Sequence, residues 1–91
     1  LPNEVRDNKD QQRFELAVDG HTAFTQYKLA PGVITLMHTE VPKEFEGHGI
    51  GSRLVQGELE MVRARGLKVI AKCPFVAAYV RKHAEFQDLL A

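Results

Sequence analysis

Three glycines alternate at Gly47, Gly49 and Gly51, with His48 between them and Ser52 after them. A β-rich run from Val33 to Val41 comes before, and a helical pattern starts at Ile50. A loop of this kind, between a strand and a helix, lets backbone N–H groups approach an anion closely. The helix N-terminus adds partial positive charge at the same place. The chemistry suggested is a pyrophosphate-bearing ligand held by main-chain amides, those of His48 and Ser52 included. The Ser52 hydroxyl adds a phosphate contact or caps the helix. Spacing excludes two common sites. A dinucleotide loop requires G-x-G-x-x-G, but the sixth position from Gly47 is Ser52, and Val69 to Cys73 offers no acid for a ribose. The nucleoside-triphosphate loop requires a Gly-Lys pair, and the chain has none. The competing reading is a tight connection and nothing more. One glycine suffices for such a turn, whereas three alternating ones point to close approach by another group.

Other side chains are typed for group transfer. Cys73 closes an apolar run, Lys68 to Cys73, and precedes Pro74. A thiol there is a nucleophile if its pKa is lowered, and otherwise a small inert wall. His38 and Glu40 are two apart and share one face of a strand, where either is a candidate to take a proton from an ammonium. The alternative is a solvated strand end. Arg81 and Lys82 offer cations to phosphates or form a solvated helix face, and His83 reads as structural.

Two stretches together resemble the GNAT family of N-acetyltransferases. Its loop pattern is [RQ]-x-x-G-x-[GA], in which Gly49 and Gly51 fill the small positions and Glu46 departs from the usual Arg or Gln. The second stretch, Cys73-Pro74-Phe75 through Tyr79, Lys82-His83 and Asp88-Leu89, is similar to the C-terminal signature of small single-domain members. Ala84 stands where that signature has proline. Thr39-Glu40-Val41-Pro42 looks like the same group, so the resemblance spans residues 14 to 90. It implies acetyl-coenzyme A as cofactor, with its pyrophosphate on the amides of residues 47 to 52. It also implies pantetheine beside the Val41 main chain, where the strand splays from its neighbour. Phe75, Tyr79 and Lys82 become further coenzyme contacts, and Tyr79 resembles the tyrosine that protonates the leaving thiolate. Its alternative is a packing aromatic. Glu46 must then point away from the phosphates. The implied reaction is attack of a primary amine on the thioester, with backbone donors facing the developing oxyanion. Only Asp19-Gly20 links the first two strands expected, where the family usually has helices forming an acceptor wall. An open site suits a protein or peptide lysine. The alternative function is a non-catalytic coenzyme A-binding or partner-recruiting module.

Composition sets the frame. At 91 residues and 44% hydrophobic there is one domain with a modest core. Twelve basic and twelve acidic residues give no net charge, which argues against nucleic acid as a partner. The single cysteine excludes an intrachain disulfide and fits a reducing compartment, so a cytoplasmic protein is expected. No apolar run has the length of a membrane span, and no signal-peptide pattern opens the chain. The histidines at 21, 38, 48 and 83 lack a metal-type H-x-x-x-H spacing.

The elements that must position these groups follow from periodicity. Residues 1 to 12 read as a flexible lead and 13 to 91 as the domain. Phe14 to Val18, His21 to Leu29 and Val33 to Val41 alternate as three antiparallel strands, with Asp19-Gly20 and Ala30-Pro31-Gly32 as turns. Ile50 to Arg65 is the main helix, with Ile50, Leu54, Val55, Leu59, Met61 and Val62 on its apolar side and Gly66 as its stop. Lys68 to Cys73 is a buried strand parallel to the third, and Pro74 begins a helix reaching about His83. The expected fold is α/β (α+β): a truncated GNAT-like mixed sheet with helices packed on it.

Overall fold

The computed structural model describes residues 5–45, 47 and 49–91. The strands are β1 (Val5–Asn8), β2 (Arg13–Val18), β3 (His21–Ala30), β4 (Val33–Glu40) and β5 (Lys68–Ala71). The α-helices are α1 (Ile50–Ala64) and α2 (Pro74–Lys82), with short 3-10 helices at Lys43–Phe45 and Ala84–Leu89. The sheet order is β1-β2-β3-β4-β5, antiparallel through β4, with β5 parallel to β4. The mixed sheet and the parallel strand after α1 are thus as the sequence implies.

Local chemistry explains the turns. Asp19 and Gly20 both have positive φ, 50° and 78°, which suits the right-handed twist of a two-residue hairpin between β2 and β3. On β3, Ala23, Thr25 and Tyr27 are buried while Thr22, Gln26 and Lys28 are exposed. The helices therefore cover one face of the sheet and leave the other open. The core joins Phe14, Leu16, Ile34 and Leu36 of the sheet to Leu54, Val55, Leu59 and Val62 of α1 and to Val76, Val80 and Phe86 beyond.

One expectation is corrected. Residues 5 to 8, assigned to a flexible lead, form β1 and pair with β2 from Val5↔Leu16 to Asn8↔Arg13. The strand is polar in sequence because polar contacts hold it. The side chain of Asp7 is buried, accepts a 2.6 Å hydrogen bond from the Tyr27 hydroxyl, and has Arg65 2.7 Å from its other oxygen, off the angle for a direct bond. Burial, and then the bond to Asp7 and its charge, push the Tyr27 hydroxyl up to about 12, so it stays a donor. Tyr27→Phe leaves a buried carboxylate oxygen without its donor. Urea unfolding is expected to show a loss of about 1–3 kcal/mol, and an unchanged midpoint would show that the contact contributes nothing.

The same strand explains a glycine inside α1. A Cβ on Gly57 would overlap the Val5 side chain, so glycine lets β1 lie against the helix. Gly57→Ala improves helix propensity by ~1 kcal/mol yet is expected to destabilise, because β1 must move. Adding Val5→Ala should recover the loss in thermal melts. Failure to recover would place the penalty elsewhere.

Candidate functional site

The site begins with an irregularity in β4. Gln26 pairs with His38 but Tyr27 pairs with Leu36, so Met37 is an extra residue on β4. Such a bulge inverts the alternation beyond it. Ile34 and Leu36 point into the core before the bulge. After it Thr39 is the more buried residue, and His38 and Glu40 are exposed. The β4–β5 ladder also stops there: its last pair is Leu36↔Ala71, and the N–H groups of Lys72 and Cys73 both reach the Leu36 carbonyl. From Met37 onward β4 has no strand partner on its β5 side.

A concavity of about 590 Å³ opens where the two strands part. Thr39 and Glu40 of β4, Val41 just after it, Phe45, Gly47, Gly49 to Ser52 and Phe75 line it. Its floor is the start of α1. Gly49 caps that helix in the left-handed conformation, with φ 74°, and no side chain caps it. The first turn of α1 contains no acid, and Arg53 N–H is the first to bond back within the helix, to Gly49. The amides of Ile50, Gly51 and Ser52 have no partner among the described residues and lie at the positive end of a 15-residue helix. The glycines differ in their reasons. A Cβ at Gly47 or Gly49 would meet nothing within 4 Å, and positive φ alone selects glycine there. At Gly51 a Cβ would lie 2.7 Å from the Phe75 ring and 3.3 Å from Val41, so part of the close approach read from the loop is made by the protein itself.

Cys73 is 3% exposed and stands behind Thr39 rather than on the pocket wall. Its Sγ donates to Thr39 Oγ1 at 3.4 Å, and Thr39 Oγ1 is 2.9 Å from Thr25 Oγ1 on β3. As the residue before Pro74, Cys73 occupies the N-cap of α2. Burial raises its pKa, but the Thr39 hydroxyl and the backbone N–H groups of Val76 and Phe75 outweigh it and hold the thiol below its ordinary value. Behind Thr25 lies Glu58 of α1, fully buried. Neither carboxylate oxygen has a hydrogen-bond partner, although Thr25 faces it closely enough to favour its charged form. Burial dominates and, with the nearby sulfur of Cys73, pushes the Glu58 carboxyl up to about 8.

The structure thus gathers Val41, Gly47, Gly49, Gly51, Ser52 and Phe75 into one cavity, with Glu40 on its wall. His38 and Glu40 bond to each other at 2.9 Å on the exposed side of β4, away from Cys73. Tyr79 does not line the cavity. It stacks on His83 at 3.8 Å and packs near Phe86, and burial followed by the charges of Glu85 and Glu60 raises its pKa. His83 is held by the Tyr79 carbonyl, 2.8 Å from its Nδ1, the structural role expected of it. Arg81 and Lys82 are exposed in the last turn of α2. His48 and Glu46 lie outside the described residues. Thr25, Thr39 and Glu58 were not among the sequence candidates. The signal for Glu58 is a carboxylate four residues from both Leu54 and Val62, inside the apolar stripe of α1. Among the described residues no group of three His, Cys, Asp or Glu could hold a metal ion.

Known proteins resemble this chain in sequence and in fold. The model of the GCN5-related N-acetyl-transferase family matches residues 13–89. Protein NATD1 of Gallus gallus is 27% identical over 85 residues, covering 90% of this chain and 77% of its own. Protein NATD1 of Homo sapiens is 27% identical over 85 residues, covering 90% and 75%. The solution NMR structure of a GCN5-like candidate N-acetyltransferase from Staphylococcus aureus superposes with a TM-score of 0.75 at 27% identity, over 99% of this chain and 89% of that one. The match takes in the sheet, the glycine loop and the segment after Cys73, and the chain belongs to the GCN5-related N-acetyltransferase family.

Proposed function

We propose that this protein moves an acetyl group from acetyl-coenzyme A to a primary amine. The observation that carries the reading is the uncapped N-terminus of α1, opening into the cavity where β4 leaves β5. Three such amides at a helix start suit a pyrophosphate. The free edge of β4 from Met37 to Glu40, with Val41 just beyond it, suits an extended amide-bearing arm, which pairs with a strand as another strand would. Phe75 supplies an apolar wall, whereas neither Arg81 nor Lys82 lines the cavity, and Arg81 stands in a second concavity with Val69, Ala77 and Leu90. Acetyl-coenzyme A is the acetyl donor substrate and supplies the thioester. Both early strand connections are short, at residues 9 to 12 and at Asp19-Gly20, and no α-helix precedes α1 among the described residues. That openness favours a protein or peptide lysine as acceptor. The single thiol favours a reducing compartment such as the cytoplasm.

A second reading, a coenzyme A-binding module without turnover, is favoured by one observation. Glu40 is the one acidic residue lining the cavity among the described residues, and its carboxylate is held by His38 at 2.9 Å on the exposed side of β4. A panel of amines, lysine peptides included, incubated with acetyl-coenzyme A and read by mass spectrometry separates the two. The proposal expects one acetyl group on at least one acceptor, above the rate in buffer. Binding without transfer across the panel would replace it with the second reading.

A further inference from the structure

Glu58 has no part in the cavity, yet its place in the core is chemically costly. A buried carboxyl without a partner is ordinarily replaced by an apolar residue of similar size. Among the described residues no lysine, arginine or histidine pairs with it, and both of its oxygens are unbonded. Two groups face it: Thr25 from β3, and Cys73 from the junction of β5 and α2. Thr25 is fully buried and Cys73 nearly so, while Thr39 between them reaches the cavity wall. A line of polar atoms therefore runs from the α1 carboxyl through two hydroxyls to the thiol, with steps of 2.9 Å and 3.4 Å along its Thr25–Thr39–Cys73 part.

We propose that Glu58 is the proton store for Cys73, reached through the hydroxyls of Thr25 and Thr39, and that between its two titration steps this buried cluster carries one negative charge shared between carboxyl and sulfur. The step balances within the cluster. The Cys73 S–H bond breaks and its proton goes to Thr39 Oγ1. The proton of Thr39 passes to Thr25 Oγ1, and that of Thr25 to the Glu58 carboxylate. A thiolate and a neutral carboxylic acid result, both hydroxyls reverse direction, and the return path is the same. Hydroxyls both donate and accept, and the Thr25–Thr39 bond can run either way. The last link requires the Glu58 carboxyl to turn onto the Thr25 hydroxyl, the neighbour that already favours its charged form. A second charge is resisted because two anions in a dry site repel each other. Burial raises the carboxyl while Thr39 and the start of α2 lower the thiol, which brings their proton affinities together. The use of this store at a thioester rests on the acetyltransferase reading; its existence does not.

The test is an NMR titration of the full chain, without ligand, following the Glu58 side-chain carboxyl carbon and the Cys73 Cβ. Both signals are expected to show the same two inflections, separated by more than about one pH unit. Cys73→Ser should leave Glu58 with one inflection, moved down, because the sulfur no longer opposes its charge. Thr25→Val should move the Glu58 inflection up by about one unit, because the hydroxyl that favours the charge is gone. A single Glu58 inflection that ignores Cys73→Ser would overturn the shared charge, and one that ignores Thr25→Val would remove the hydroxyl path. The wild-type titration needs no variant to fold. Adding acetyl-coenzyme A to the same sample reads the proposed function separately. Shared inflections without loop shifts support the store and remove the donor. Loop shifts with independent titrations overturn the store and keep the donor.

Discussion

Glu58→Met is expected to stabilise the protein by roughly 3 kcal/mol near neutral pH, at about 1.4 kcal/mol for each unit of pKa displacement. The carboxyl is fully buried and its pKa is raised from 4.5 to about 8. The folded state therefore holds a proton that the unfolded chain releases in the same range. This contribution is fully present below pH 4.5 and is lost as pH rises to about 8, beyond which it is constant. Wild-type stability should fall across that window and the variant should not follow, so the difference between them grows with pH. Methionine also fills a similar volume without a polar atom, and volume-conserving apolar swaps are tolerated well. Urea unfolding at several pH values reads the result. An equal or less stable variant at neutral pH would mean that the carboxyl has a partner in solution. A stabilised but impaired variant is the pattern of a residue retained for function.

Gly49→Val is expected to weaken acetyl-coenzyme A by at least about tenfold, ~1.4 kcal/mol. The reason is not a clash within the protein, because a Cβ there meets nothing within 4 Å. Gly49 has φ 74°, a conformation that a β-branched residue resists, and it caps the helix whose first amides form the cavity floor. Relaxing the strain turns those amides away, and the new methyl groups stand where phosphate must come. Gly32 is a matched control, with φ 74° and open space in the turn between β3 and β4. Gly32→Val should carry a similar strain and leave affinity unchanged. Calorimetry showing equal affinity for folded Gly49→Val would remove the loop from the binding site.

Some of this architecture is written in local sequence and some is not. The loop is legible because Gly47 and Gly49 need positive φ that few residues adopt. Helix α1 is legible because its apolar residues repeat at helical spacing over four turns. Strand β1 is hidden because Asp7 is buried against Tyr27 and Arg65, partners far away in the chain. The bulge at Met37 has no local mark, and it decides which side of β4 faces Cys73. Strict alternation would align His38 and Glu40 with the inward Ile34 and Leu36. The extra residue turns them out and brings Thr39 in. Glu58 does leave a trace in the stripe of α1, but its meeting with Thr25 and Cys73 exists only once β3, β5 and α1 have packed.

The most direct test of the account is a titration of isotopically labelled protein with acetyl-coenzyme A, followed by backbone amide NMR. Saturating shifts are expected at Gly47, Gly49 to Arg53 and Thr39 to Val41, with smaller ones at Phe75 and little change in β1. Amides of Ile50, Gly51 and Ser52 should move most, because they are the donors at the start of α1 without a partner among the described residues. Shifts confined to the opposite end of β5 and the C-terminal turn, or none with ligand in large excess, would contradict the central claim.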